Sequence, residues 1–410
     1  MFDKKKYFFI FILPFLLIFS ACAPGASGSG SGAVLEGTPT PENMPTLQPT
    51  PTFSVLELHY VPPYYSLFYG DIISASKTEN GLLVYSPINA ASWEPAIRAF
   101  QEHFPWVNVL PLEVGAGEAF ARYAAEYGTN VRTADIIISP DVVAWQEFIA
   151  QGQVLTYRSP EEAYLPSWAR AGSGIYALSG EPLLIVYNKQ LVVTQPETME
   201  QVGILASAFE NDYRDKISTL DITSPDGFAA NWFWLGSEGE PGWNVLNAIG
   251  KTSPTLTTAD ARLLQAVASG DIRIAYFVPS QLLLSRLEEF PELGWSYIKD
   301  GQPILLYNMA ITQANASPNS AKLFLDFLLS QEGQVALAMG GLTPYRSDIT
   351  RVSQLHLETV SQQVGQENLI FSSLAPGLQD AALVQPVLDR WLLAMKPEPE
   401  IPVPADTATP

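Results

Sequence analysis

Hydrophobic and polar positions alternate along the middle of the chain with two periods, one of strands and one of helices. Leu82-Leu83-Val84-Tyr85 is a short apolar run that predicts a buried strand, followed by the loop Ser86-Pro87-Ile88-Asn89. Trp93, Ile97, Phe100 and Phe104 then share one helical face, with Ser92 as the expected N-cap, Pro95 in the first turn and Pro105 as the stop. Val107 to Leu112 reads as the next strand. The Gly115-Ala116-Gly117 turn leads into a helix carrying Phe120, Tyr123 and Tyr127, which Gly128 closes. Ala134-Asp135-Ile136-Ile137-Ile138 is a third strand, ending at Ser139-Pro140-Asp141 before a helix with Val142, Trp145, Phe148 and Ile149. Three successive strand, loop and helix units predict an α/β fold with a doubly wound, mainly parallel sheet. In such sheets ligands bind at loops beyond the carboxyl ends of strands, here Ser86 to Asn89, Gly115 to Glu118 and Ser139 to Asp141.

The ends of the chain read differently. Lys4, Lys5 and Lys6 precede an apolar run from Tyr7 to Phe19, too short to span a bilayer and suited to an export signal. Phe19-Ser20-Ala21-Cys22 resembles the bacterial lipobox, with Phe19 where Leu is usual, so 1–21 is read as a signal peptide and Cys22 as the lipidated N-terminus. From Cys22 to Ser54, 20 of 33 residues are Pro, Gly, Ser or Thr, the composition of a flexible tether. Residues 55–80 are an N-terminal extension, and the Pro-rich 396–410 a disordered tail.

Composition narrows the partners. Asp and Glu number 42 against 22 Lys and Arg, a formal charge of −20. Three Lys and one Asp leave with residues 1–21, so the remainder carries −22. That charge disfavours nucleic acid. One Cys excludes a disulfide framework, and three His leave little for histidine-rich metal chemistry. Gly250-Lys251-Thr252 lacks the earlier glycine of a phosphate loop, and Asn315-Ala316-Ser317 is read as the loop before a helix starting at Pro318.

Further along, Thr223-Ser224-Pro225-Asp226-Gly227 separates a strand-like from a helix-like run, so its backbone N–H groups, with Ser224 and Gly227, are candidates to receive an anion or polar head. Two Tyr-Asn pairs, Tyr187-Asn188 and Tyr307-Asn308, follow apolar runs; each could line a cleft or simply end a strand. Trp232 and Trp234 could stack on a ligand or belong to the core.

The stretch from Leu83-Val84-Tyr85-Ser86 through Phe100-Gln101-Glu102-His103-Phe104-Pro105 to Ala134-Asp135-Ile136-Ile137-Ile138-Ser139 resembles the first lobe of the extracellular solute-binding proteins of bacterial ABC importers. Leu184-Ile185-Val186-Tyr187-Asn188 is similar to the family's strand into the second lobe, and Ala321 to Gln334 to its late helix. The resemblance implies a two-lobed, type II periplasmic-binding-protein-like fold with the ligand clamped between lobes. Lobe I would comprise 81–178 and 305–372, lobe II 179–304 and 373–395, with Leu178 to Tyr187 and Gln302 to Ala310 as crossovers. It also implies a small-molecule solute, a permease with its ATPase as partners, a monomer, no cofactor, and a place at the outer face of the cytoplasmic membrane. The expected ligand-binding residues are Ser86, Asn89, Gly117, Glu118, Ser139, Tyr187, Asn188, Ser224, Gly227, Tyr276 and Tyr307.

The nearest branch includes ferric-ion binders, whose adjacent tyrosine pair is represented here by Tyr276 beside Phe277, and whose first-loop His is missing from Ser86 to Asn89. Two phenolates are what would match Fe(III), so an organic or oxyanionic solute is expected, with iron the alternative. An envelope enzyme using Glu113, Glu118 and Asp141 as acid and base is the alternative from another class.

Overall fold

A computed structural model describes residues 61–172, 174–258, 261–349 and 356–396. The signal peptide, Cys22, the tether, residues 55–60 of the extension and the tail beyond Lys396 lie outside the described residues.

Helix α1 (Tyr69–Ser76) precedes the three units read from the sequence: β1 (Leu82–Ser86) and α2 (Ala90–His103), β2 (Val109–Glu113) and α3 (Ala116–Glu126), β3 (Ile136–Ser139) and α4 (Val142–Ala150). The short β4 (Arg170–Gly172) leads into β5 (Ile175–Asn188), a strand of 14 residues, every one of them buried. Next come α5 (Met199–Ala208), α6 (Glu210–Tyr213), β6 (Ile217–Leu220), α7 (Pro225–Glu238), α8 (Glu240–Gly250), β7 (Thr255–Thr257), α9 (Ala261–Ser269), β8 (Ile274–Pro279), α10 (Ser280–Leu284) and β9 (Leu293–Ser296). The chain returns through β10 (Gln302–Ile311), α11 (Pro318–Leu329), α12 (Gln331–Met339), α13 (Leu357–Val364), β11 (Leu369–Phe371) and α14 (Ala381–Met395).

The strand order is β2-β1-β3-β10-β5-β8-β6-β7. β1 pairs in parallel with β2 and β3, and β6 in parallel with β7 and β8. Between these two parallel groups run β5 and β10, antiparallel to each other, with β10 antiparallel to β3, β5 antiparallel to β8, and the short β11 added in parallel to β10. The first half of β5 pairs with β10 and its second half with β8 and β9. β5 thus belongs to both sheets, and the chain returns from the second to the first through β10, which is the two-lobed, type II arrangement that the resemblance implies. Each parallel group reverses direction of winding once, beside β1 and beside β6, and the crevice beyond those strand ends is where an open α/β sheet takes its ligand.

Two local corrections have simple causes. Asn89, not Ser92, caps α2: its Oδ1 accepts the Ser92 N–H at 3.0 Å, the helix starts at Ala90, and Pro95 lies inside it. The extension contains α1, whose Tyr69 hydroxyl reaches Asp326 on α11 at 2.8 Å, a partner 257 residues away. Among the described residues no helix is long and apolar enough to cross a membrane.

Candidate functional site: a cleft between two sheets

On the first side, Ser139 at the end of β3 ties two helix starts together. Its Oγ donates to Ala116 O and accepts the Asp141 N–H, each at 3.0 Å. Asp141 then caps α4, its Oδ1 accepting the N–H groups of Val143 and Ala144 at 3.2 and 2.9 Å. On the second side Ser224 caps α7: its Oγ donates to Asp221 O at 2.7 Å and accepts the Gly227 N–H at 3.1 Å. The starts of α3, α4 and α7 meet at Gly117. A Cβ there would lie 3.2 Å from Asp141 Oδ2 and 3.7 Å from Pro225 Cγ, so the two sides come close at this glycine. A second contact joins them, from Gln281 Nε2 of α10 to Ser92 Oγ of α2 at 3.0 Å.

The floor is formed by the shared strands. Glu181 of β5 is fully buried, accepting from Ser280 Oγ at 2.8 Å and from Thr343 N and Oγ1, both at 2.9 Å. Leu305 of β10 stands opposite it, with Tyr307 and Asn308 further along the same strand. The β5–β10 register slips there, Tyr307 facing Ser179 and Asn308 facing Ala177. A second irregularity sits on β8, where Tyr276 and Phe277 oppose the single residue Ile185. This bulge holds Phe277 at φ 58°, a left-handed conformation that costs a non-glycine residue about 1–2 kcal/mol. Such strain collects at ligand sites.

Polar atoms are left over around this cleft. Asp226 Oδ1, Tyr276 Oη and Asn308 Nδ2 are buried without a hydrogen-bond partner. Asn308 faces Ser139 in the β10–β3 register, and residues directly opposed in a ladder project to the same face. Its free amide therefore points to where Ser139 joins α3 and α4.

The charges here are acidic. Burial, and then the charge of Asp141, pushes Asp226 up to about 6. Burial also raises Asp141, against the pull of its two backbone donors, and raises Glu181 against the hydrogen bonds it accepts. Tyr307 rises well above the ordinary phenol value through burial and the nearby charges of Asp226 and Glu181.

Most of the sequence-predicted residues meet at this cleft, though not all as free ligand groups. Ser86 Oγ is occupied by Trp93 Nε1 at 3.1 Å, and Asn89 by its cap. Glu118 is exposed and accepts the Gly115 N–H at 3.3 Å. Ser224 and Gly227 bond to each other, and Gly227 lacks a side chain because a Cβ would sit 2.0 Å from Asp221 O. The anion cradle expected there is therefore closed by its own residues, with the Asp226 carboxylate beside it. Tyr187 and Asn188 lie at the far end of β5, next to the first residue of β8 and away from the cleft. Asn188 Nδ2 donates to Val267 O and Ala268 O at 3.0 Å, and the Tyr187 ring packs on Gly294. Trp232 stacks on Phe228, and Trp234 is in the core. His103 is 2.9 Å from Glu332. Glu181 was missed as a site residue, and Asp226 was read only as part of the stretch Thr223 to Gly227. A lone carboxylate within the apolar run Ile175 to Asn188 is the signal that could have found Glu181.

The family model for bacterial extracellular solute-binding proteins matches residues 82–343. This chain belongs to that family. Solved structures of solute-binding proteins share the fold at low identity. The substrate-binding protein of an ABC transporter from Agrobacterium tumefaciens is 21% identical, covering 79% of this chain and 97% of its own, with a TM-score of 0.68. The periplasmic binding protein AfuA from Actinobacillus pleuropneumoniae, with fructose-6-phosphate bound, is 19% identical over 78% of this chain and 99% of its own, with a TM-score of 0.62. Iron-bound HitA from Pseudomonas aeruginosa is 17% identical over 65% of this chain and 87% of its own, with a TM-score of 0.55. No curated protein matches the chain in sequence. The solute-binding family matches the cleft that the topology creates, and its members are binding proteins rather than enzymes. In this chain the three carboxylates named for acid–base work have other settings: Glu113 is exposed at the end of β2, Glu118 accepts the Gly115 N–H, and Asp141 caps α4.

Proposed function

We propose that this solute-binding protein is the receptor of an ABC importer, held at the outer face of the membrane by lipid on Cys22, and that it delivers a small organic solute to a permease. The observation that carries this reading is the meeting of three helix starts from two sheets at Gly117, over a floor with buried polar atoms still lacking partners. Of the two solute classes the sequence allows, the organic one fits better than the oxyanion, because Ser224 occupies the Gly227 N–H and a carboxylate stands at the same helix start.

A receptor of this kind closes by bending at the shared strands, since a ligand touching both lobes binds the closed state better. Protein purified from its own host, with its copurified solute confirmed by native mass spectrometry, is expected to have a smaller radius of gyration in X-ray scattering than the same protein stripped by unfolding and refolding. Identical profiles with solute bound would argue against hinge closure. Substituting Cys22→Ser is expected to leave the protein without lipid and to move it from the membrane fraction to a soluble or unprocessed form. Unchanged fractionation, with no lipid on Cys22 of the parent protein, would remove the anchor from the proposal.

A further inference from the structure

We infer that the solute is an organic cation, a small molecule with a protonated or quaternary nitrogen seated between Asp141 of one lobe and Asp226 of the other and carrying acceptor atoms for the buried donors beside them. This rests on the receptor reading above and adds the charge of the ligand.

The lobes bring two carboxylates together. Asp141 heads α4, Asp226 is the second residue of α7, and Gly117 at the start of α3 lies against Asp141 Oδ2 and against Pro225, the residue before Asp226. Each feels its burial, and Asp226 feels the charge of Asp141. Among the described residues no Lys, Arg or His pairs with Asp141, Asp226 or Glu181, the third carboxylate of the cleft. Two like charges facing across a closing hinge oppose closure. A cation between them reverses the sign, so the same pair selects the ligand's charge and couples binding to closure. The acidic surface of the whole chain adds to this by steering cations toward the protein.

An independent observation says the ligand is more than a charge. Asn308 is 1% exposed, its Nδ2 has no partner, and its place opposite Ser139 directs it at the α3–α4 junction. Tyr276 Oη is likewise a buried donor without an acceptor. A bare metal ion offers no acceptor atoms, whereas an amine that also bears a hydroxyl or carbonyl offers both. The described residues also hold no group of three or more His, Cys, Asp or Glu able to bind a metal ion.

The test is calorimetry on the full chain in detergent, stripped of copurified solute, with three cations (choline, putrescine and thiamine) against fructose 6-phosphate and ferric citrate. At least one cation is expected to bind saturably, and Asp141→Asn and Asp226→Asn are each expected to weaken it at least tenfold while the circular dichroism spectrum is kept. Binding by none of the three cations, or equal binding in both variants, overturns the inference. If fructose 6-phosphate or ferric citrate alone binds saturably, the ligand's charge is wrong and the receptor reading stands. If no probe binds and native mass spectrometry of protein purified from its own host finds no small molecule, both fall.

Discussion

Arg346→Ala is expected to destabilise the protein by roughly 3–5 kcal/mol, the usual penalty for stripping one partner from a buried ion pair. Arg346 is 2% exposed and Glu161 is wholly buried. The guanidinium Nη1 donates to Glu161 Oε2 at 2.6 Å and to Leu329 O at 2.9 Å. Its Nε and Nη2 grip Asp348 at 2.9 and 2.8 Å, and its plane lies 5.0 Å from the Tyr164 ring. Glu161 also accepts from the hydroxyls of Tyr64 and Tyr65, at 2.8 and 2.6 Å. Without the arginine, those two hydroxyls would face a buried carboxylate with no counter-charge. Beside them Asp326 accepts from Tyr69, Tyr157 and Ser159, and burial pushes it up to about 7 against those three donors. The segment from Tyr64 to α1 is thus latched to the first lobe by tyrosine hydroxyls on two buried acids. Urea unfolding should show a lower midpoint with an unchanged slope. The double variant Arg346→Met with Glu161→Leu should recover part of the loss, because the one charge it leaves unpaired, Asp348, is exposed to water. A loss below about 1 kcal/mol in the single variant would mean that water reaches Glu161.

That latch shows where reading the sequence stops. The strands of the three opening units were legible because each is a compact apolar run, and their ends located the loops that form one side of the cleft. The N-cap of α2 was misplaced by three residues because Asn89 and Ser92 are both good caps, and only the backbone geometry decides between them. Helix α1 was read as part of an extension because its anchors, Glu161 and Asp326, lie tens to hundreds of residues away. The site divides in the same way. Ser139, Ser224 and Gly117, expected from their positions after strands, lie where the starts of α3, α4 and α7 come together. The pairing of Asp141 with Asp226 was not, since it arises only when two sheets joined by β5 and β10 fold toward each other. Tyr187 and Asn188 looked like Tyr307 and Asn308 in sequence, but the direction of β5 carries the first pair to the opposite end of the sheet.

Asp226→Asn is expected to make the ligand-free protein more stable at neutral pH, by up to about 3 kcal/mol. The folded state holds the Asp226 proton to about 6, against 3.8 when exposed, a difference of about two pH units at 1.36 kcal/mol each. A raised carboxyl binds its proton more tightly folded than unfolded, so its contribution is most favourable below pH 3.8 and is lost as pH rises from there through about 6. Above that window the wild-type protein carries a buried carboxylate facing Asp141, while the amide carries none. Urea midpoints of the stripped proteins should therefore nearly coincide at pH 3.5 and separate at pH 7.5, with the variant the more stable. Asp141, also raised by burial, adds to the slope of wild type and variant alike. A variant less stable than wild type at pH 7.5 would show that the Asp226 carboxylate already has a favourable partner, with Tyr307 the nearest candidate donor. If the stabilisation appears and a cation probe loses affinity in the same variant, one side chain accounts for both. The repulsion that weakens the empty closed form is then the interaction that a positive ligand converts into closure.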